Sequence, residues 1–485
     1  MTDIAFLPAH RLASLIRRGK IGCVELLDHY LARVERFNPA LNAIIATDIP
    51  EARKQAEAAE RAVTTGQTRG PLHGVPMTVK ESFDVAGLPT SWGVPAYHGA
   101  IAASDALSVR RLRKAGAIVF GKTNLPIWLA DCQSFNDNYG ATGNPWNPGR
   151  TPGGSSGGSA AALAAGLTGL EMGSDIAGSI RNPAALCGVF GHKPTMGICS
   201  TLGHTIAENV APIDMLVIGP LARSAKDLAI GLAVITGPDE IDSAGLRIAL
   251  PPPKKKRLDE YRVSILVDDE TVPMDSEVCA LQQQLADFLH SSDVKVDIGA
   301  RPDFDAAESH RLYDILLRAT TSGRQTDAEF AANLAARNAL SPDDDSKWAR
   351  MLRGVTLSHR DWAALDEARH RIRWKWHEFF QQYDLMLTPI TVSAAFPHNK
   401  TPPYERTIPI NGVAQHFMNQ ISLPGYSNFT YLPTTVAPIG FTNEKLPLGV
   451  QIIGPQYGDR TCIHFAGLLE KHYQRFIPPP GYDET

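Results

Sequence analysis

The chain has 485 residues, of which 44% are hydrophobic and 20% charged, enough apolar side chain to bury a large core. Its 47 basic and 51 acidic side chains leave a formal charge of −4, which is no electrostatic footprint for nucleic acid, so no nucleic-acid partner is expected. No apolar run reaches the roughly 18 residues a membrane span needs, and none reads as a signal peptide, so a cytoplasmic protein without a membrane partner is expected.

The six cysteines (Cys23, Cys132, Cys187, Cys199, Cys279 and Cys462) are scattered without paired ligand spacing. They read as small buried residues in a reducing compartment, and no metal site is expected. Near the start, Val24, Leu27, Leu31 and Val34 recur at helical spacing and mark an amphipathic helix. Leu72–Lys80, LHGVPMTVK, then reads as a turn followed by an apolar strand ending in Lys80, with Glu81 and Ser82 behind it. A lysine carried inward at a strand end loses its proton more readily, because desolvation disfavours the ammonium, and can then serve as a base near neutral pH.

ASDALSVRRLRKAG reads as a helix and the following AIVF as a strand. Gly116–Thr123, GAIVFGKT, also matches the G-x-x-x-x-G-K-[ST] pattern of a P-loop nucleotide-binding protein. Its apolar middle argues against that reading, since a phosphate loop follows a strand and exposes its amides. Lys122 is therefore expected to be structural.

After the Pro-rich loop NPWNPGRTP, Gly153, Gly154, Gly157 and Gly158 surround Ser155 and Ser156 with backbone freedom suited to a shaped site. The run Gly153–Gly157 also fits G-x-S-x-G, the elbow that would make Ser155 a nucleophile, but that elbow needs a strand before it and the loop supplies none. The small-residue run AAALAAGLTG predicts a tightly packed helix, followed by a short strand near Leu170–Gly173 and a turn at Asp175–Ser179. Ser179 is placed at a helix start, either as a simple cap or beside amides of Ile176, Ala177, Gly178 and Ser179 that can converge on one oxygen as an oxyanion hole. Asp175 and Arg181 flank this turn as a charged pair that holds it, or as an ion pair of purely structural role, and Ser156 is placed as a supporting neighbour.

Ser224-Ala-Lys-Asp227 is a capping box opening a helix to about Ile235. A Pro-rich, charged stretch follows at 237–258, after which predicted helices dominate through 259–382. Strands are then predicted at Leu385–Leu387, Thr434–Pro438 and Leu448–Ile453. The mixture predicts an α/β fold, read as a single domain over 1–485.

GVPMTVK at 74–80, GAIVFGKTN at 116–124, NPWNP at 144–148, GGSSGGSAAALAAG at 153–166, GSDIAGSIRNPAALCGVFGHKPT at 173–195 and LPLGVQIIG at 446–454 together resemble, in order and spacing, the amidase signature family. The resemblance implies a large mixed β-sheet core covered by helices on both faces. It implies a Ser–cis-Ser–Lys triad, with Lys80 as base, Ser155 as bridging serine after a cis Gly154–Ser155 bond, and Ser179 as nucleophile. It also implies that no cofactor is needed to cleave a small-molecule linear amide through an acyl-enzyme, with esters and carbamates open to the same chemistry. One departure is Ala177, where the family usually has glycine; if that position needs a positive φ, alanine is strained there.

Two other readings compete with this one. A glutaminase component of a tRNA-dependent amidotransferase shares the family, but after GKTN this chain reads LPIWLADCQSF and lacks the Met-Gly-Ser-Ser-type segment of that component. A non-catalytic binding protein on the same scaffold is opposed by the filled triad positions. The helical insertion at 259–382 is expected to cover the cleft and set specificity. Trp128 and Cys132 are expected to line the substrate pocket, with Trp92, Phe135, Tyr426 and Phe429 as further aromatic candidates for aryl or hydrophobic substrates. The sequence carries no indication of oligomeric state.

Overall fold

The computed structural model describes residues 3–206 and 209–483. Its strands in chain order are β1 Ile44–Thr47, β2 Pro76–Lys80, β3 Ile118–Thr123, β4 Phe135–Asn136, β5 Gly140–Ala141, β6 Glu171–Asp175, β7 Phe190–Lys193, β8 Val217–Ala222, β9 Arg262–Ile265, β10 Lys295–Ile298, β11 Leu385–Pro389, β12 Thr407–Ile410, β13 Val413–His416, β14 Thr434–Phe441 and β15 Pro447–Ile453. Eight of them form one sheet in the order β10-β9-β11-β15-β14-β7-β8-β6. The β10, β9 and β11 strands run parallel and every later pairing is antiparallel, so the sheet is mixed. A second sheet, β1-β3-β2, lies beside it.

Side chains alternate across a strand, and β15 shows what each face of the large sheet meets. Leu448, Val450 and Ile452 join one apolar cluster with Leu281 and Leu285 of the Ser276–Ser291 helix and with Phe465 and Leu469 of the Asp459–His472 helix. Gly449 and Gln451, on the other face, meet the Arg181–Cys187 helix: a Cβ on Gly449 would stand 3.1 Å from that of Ala185, and Gln451 bonds Arg181. Helices therefore cover both faces, as the family resemblance implies. No helix among the described residues is long and apolar enough to cross a membrane.

The capping box is present as read, with Ser224 accepting from the Asp227 amide at the head of the Ala225–Ile235 helix. The small-residue segment forms the Gly157–Ala164 helix, with every residue buried. Its lack of bulk has a local cause, since a Cβ on Gly158 would come within 2.4 Å of the Asn124 amide nitrogen.

Helices do dominate 259–382, but the segment also contains two strands that were not expected. Arg262–Ile265 and Lys295–Ile298 are strands at one end of the large sheet, with a helix between them that packs on it. Four-residue strands with charged residues inside or beside them give too short an alternation to stand out from the helical pattern around them. From Ala306 onward the segment is helical through Phe379, apart from connecting turns.

The two sheets meet where β2 runs alongside β6, tied by Gly169 N–H donating to the Pro76 carbonyl at 3.0 Å and Thr78 N–H donating to Thr168 Oγ1 at 2.9 Å. Lys80 at the end of β2 and the turn after β6 are thus brought together across this seam.

Candidate active site

β2 is buried along its whole length, so Lys80 at its end cannot reach water and is 0% exposed. Its Nζ donates to Ser155 Oγ at 2.5 Å and to Ser174 Oγ at 3.1 Å. Burial pulls the ammonium down to about 7 from the ordinary lysine value of 10.5, against the opposing pull of Asp175, Glu171 and Glu81. A substantial neutral fraction is therefore present near pH 7, which is the condition for a base.

Ser155 follows a cis Gly154–Ser155 peptide and is 1% exposed. The Gly-rich turn around it is held by Ser134, whose Oγ donates to the Gly153 carbonyl and accepts from Gly157 N–H, and by Asn182 Oδ1, which accepts from Gly154 N–H. Ser156 ties the turn to its neighbours: its N–H donates to the Ser179 carbonyl at 3.1 Å and its Oγ to the Ser174 carbonyl at 3.3 Å.

Ser179 lies just before the Arg181–Cys187 helix, whose N-cap position is Ile180, and that helix has no side-chain cap. Ser179 is therefore not the cap. Its backbone is fixed by Asp175, whose carboxylate accepts from the Gly178 amide at 2.8 Å and the Ile180 amide at 3.1 Å, one on each side of the serine. Arg181 pairs with the same carboxylate at 2.9 and 3.0 Å, both side chains fully buried. It also donates to the Pro424 carbonyl, Ser427, Gln451 and Asn428. Burial alone would raise the Asp175 carboxyl, but Arg181, Lys193 and the Gly178 amide outweigh it and hold the group at about 2. The turn thus rests on a fixed, satisfied charge pair.

The amide of Gly178 is taken by Asp175, which removes it from the set of four expected to converge on an oxyanion. The amides of Ile176, Ala177 and Ser179 have no intramolecular acceptor among the described residues. Asn428 donates to the Ile176 carbonyl. Because C=O and N–H point oppositely in a trans peptide, this contact turns the Ala177 N–H the other way. The positive φ in this turn falls on Gly178, at +101°, while Ala177 carries none, so alanine at 177 is unstrained.

Ser179 is 7% exposed and opens onto a cavity of about 80 Å³. The hydroxyls of Ser155 and Ser179 are not hydrogen-bonded to each other among the described residues, so one link of the expected relay is open in this state. Trp128 and Cys132 both line the cavity, as do Phe417, Met418 and Ile421. Burial, aided by Asp131, pushes the Cys132 thiol up to about 12, which keeps it protonated and unreactive. The other aromatic candidates do not reach this cavity: Tyr426 and Phe429 are buried in an apolar cluster, Trp92 is buried against His204, and Phe135 belongs to the β4–β5 hairpin. A larger groove, of about 720 Å³, lies between the Ala225–Ile235 and Asp459–His472 helices and is lined by none of the candidate site residues.

The phosphate-loop match resolves as a strand. Gly121, Lys122 and Thr123 sit inside β3, paired on both sides, so their amides form no open cradle. Lys122 is buried against Thr90 and the Pro89 carbonyl. Residues 142–152 before Ser155 contain no strand of the sheets, which likewise removes the elbow geometry.

The amidase family model matches residues 25–463. The chain belongs to the amidase family. An indoleacetamide hydrolase from Bradyrhizobium diazoefficiens is 35% identical over 94% of this chain and 85% of its own length. A glutamyl-tRNA(Gln) amidotransferase component from Synechococcus sp. is 30% identical over 97% of both chains. A solved amidase structure overlays with a TM-score of 0.78 at 27% identity, covering 96% of this chain and 100% of the other. With the family goes the chemistry: the enzyme is an amide-cleaving hydrolase.

The residues that sequence reasoning missed here are Ser174, Asn428 and the cavity wall at Phe417–Ile421. Ser174 lies in the quoted GSDIAGSIR motif and could have been weighed as a partner of the lysine. Asn428 and Phe417–Ile421 are far away in the chain and carried no local signal.

Proposed function

We propose that this enzyme hydrolyses linear amides through a Ser179 acyl-enzyme, with Ser155 as proton relay and Lys80 as base. The observation that carries the reading is the fully buried Lys80–Ser155 contact at 2.5 Å beside a serine turn that faces a cavity. Neutral Lys80 accepts the Ser155 proton while Ser155 accepts that of Ser179, and the Ser179 oxygen bonds to the substrate carbonyl carbon. The amides of Ile176, Ala177 and Ser179 receive the oxyanion. The proton returns along the same path to the leaving nitrogen as the C–N bond breaks, and water then cleaves the acyl ester by the same groups.

Esters and carbamates present the same carbonyl to the same groups and fall within this reading. A preference for aryl or hydrophobic acyl groups is supported by the wall of Trp128, Leu317, Phe417, Met418 and Ile421, and by the 35% identical relative that is named an indoleacetamide hydrolase. A cytoplasmic location goes with it, supported by six free cysteines.

The glutaminase reading draws on the 30% identical amidotransferase component. Glutamine carries an α-ammonium that needs a carboxylate, and Asp131, the acid lining the cavity, is committed to Arg406 at 2.9 and 2.8 Å. We therefore rank it second.

The test is intact mass after fluorophosphonate treatment, followed by a panel of amides, esters and carbamates. A single adduct that disappears in Ser179→Ala is expected. Labelling that survives in Ser179→Ala and is lost in Ser155→Ala would transfer the nucleophile to Ser155. Glutaminase activity appearing only with a partner complex would promote the second reading.

A further inference from the structure

Apart from Ser179 itself and Asp131, which is paired with Arg406, the polar side chains lining the cavity are Arg318, Thr321 and Arg324, which enter from the Ala306–Thr321 helix and the short turn after it. Both arginines are half-buried. Arg318 lies against the face of Tyr404, 5.1 Å from the ring centre. Arg324 sits between Trp92 and Trp128, at 5.4 and 5.8 Å, and donates one N–H to the Trp128 carbonyl at 2.8 Å. Each guanidinium is thus held by aromatic faces and keeps edge donors unspent, since an arginine carries five.

Neither has a carboxylate partner, because the nearby acids are committed elsewhere among the described residues. Asp131 pairs with Arg406, and Asp314, one turn before Arg318, pairs with Lys347 and Arg350 at 2.9 and 3.0 Å. Asp214 is held by Arg369 at 2.7 Å and by the Tyr431 hydroxyl at 2.6 Å. Glu329 caps its own helix through Thr326. Burial, together with the like charge of Arg318, pulls Arg324 down to about 10 from the ordinary 12.5. Two uncompensated cations held close together in a partly desolvated wall are costly unless an anion joins them.

We propose that the substrate carries a carboxylate, separated from the scissile carbonyl by an apolar or aryl spacer, and that Arg318 and Arg324 together bind it. The apolar lining packs the spacer and the arginine pair selects the charged end, so discrimination comes from matched charge in a site with low water content. This inference rests on the acyl-enzyme reading above and names the substrate class of that same site.

The experiment compares kcat/KM for two matched pairs: succinic acid mono-4-nitroanilide against butyric acid 4-nitroanilide for an acyl-side charge, and 4-butyramidobenzoate against butyranilide for an amine-side charge. At low salt the charged member of one pair is expected to exceed its neutral partner by about tenfold or more, one charge-assisted hydrogen bond or more. The ratio is expected to fall toward one in Arg318→Gln and in Arg324→Gln, and to survive in part in Arg318→Lys. Neutral members equal or better in both pairs, or a ratio unchanged in the double Gln variant, would overturn the proposal. Hexanoate and 1-hexanol supply an arm independent of turnover. Hexanoate alone should raise the melting temperature of the wild type, and lose that effect in the double variant, whose own melting curve reports whether it folds. Equal shifts by both ligands, or by neither, would count against the arginine pair. Loss of the Ser179 adduct with hexanoate binding intact would instead remove the nucleophile assignment and leave the carboxylate site standing.

Discussion

Lys80 Nζ and Ser155 Oγ stand 2.5 Å apart with side chains 0% and 1% exposed, so the proposed base and its relay exchange a proton out of contact with bulk water. In that setting the lysine's protonation follows burial rather than solvent, and its pH behaviour becomes a direct readout of the site.

As the proposed base, Lys80 acts in its neutral form, and burial holds its pKa at about 7, below that of an ordinary lysine. Activity is therefore full above that value and is lost as pH falls through it. A kcat/KM profile should rise to a plateau with a midpoint near pH 7, and Lys80→Ala should lower kcat by about 10²–10⁴-fold. A flat profile from pH 5 to 9 would remove Lys80 as the base.

Ser174 Oγ accepts from Lys80 Nζ at 3.1 Å, a contact that favours the charged amine. Ser174→Ala should shift the pH midpoint downward and lower kcat by about tenfold through loss of orientation. The same profile measured on the variant checks both effects; an upward shift would contradict the geometry.

Asn428 holds the Ile176 carbonyl and so aims the Ala177 amide. Removing an oxyanion donor outright costs about 10²–10³-fold, and misaiming one costs less, so Asn428→Ala should lower kcat about tenfold with little change in KM. Steady-state kinetics on one good amide decide it.

Asp175 and Arg181 are both fully buried, and removing one leaves the other charge unpaired. Arg181→Met should cost about 3–5 kcal/mol in denaturant unfolding, and Asp175→Asn combined with it should recover part of that loss. Activity should stay low in both: Arg181→Met frees the Asp175 carboxylate that anchors the Gly178 and Ile180 amides, and the double variant also weakens that anchor.

Gly178 and Ala177 should behave in opposite ways. Gly178→Ala places a Cβ 2.9 Å from Pro424 at a φ of +101° and should abolish most activity and lower the melting temperature. Ala177→Gly, which restores the common family pattern, should change kcat less than about twofold, since position 177 needs no positive φ.

Much of the candidate site was legible because it is local in sequence. The strand ending in Lys80, the two Gly-rich turns and the buried small-residue helix announce themselves through breaker residues and side-chain volume. The family's motif order supplied the proposed bridging role of Ser155 and the expectation of the cis bond, which no propensity encodes. The commitment of the Gly178 amide to Asp175 was not legible, because the side chain that claims an amide depends on turn geometry. Neither was the cavity wall at Phe417, nor the hydrogen bond from Asn428 to the Ile176 carbonyl, because both join the serine turn to a part of the chain far away in sequence. The strands β9 and β10 were hidden because four residues are too few for a period-two pattern to outweigh helical neighbours.

Lys80 belongs to the three-stranded sheet, while Ser174 and the turn holding Ser179 continue from the edge of the eight-stranded one. Turnover therefore monitors the docking of two separately hydrogen-bonded bodies. A perturbation that slides one sheet on the other by an ångström silences the enzyme while its circular dichroism stays native, and the catalytic signal fades ahead of the spectroscopic one when the protein is gently destabilised.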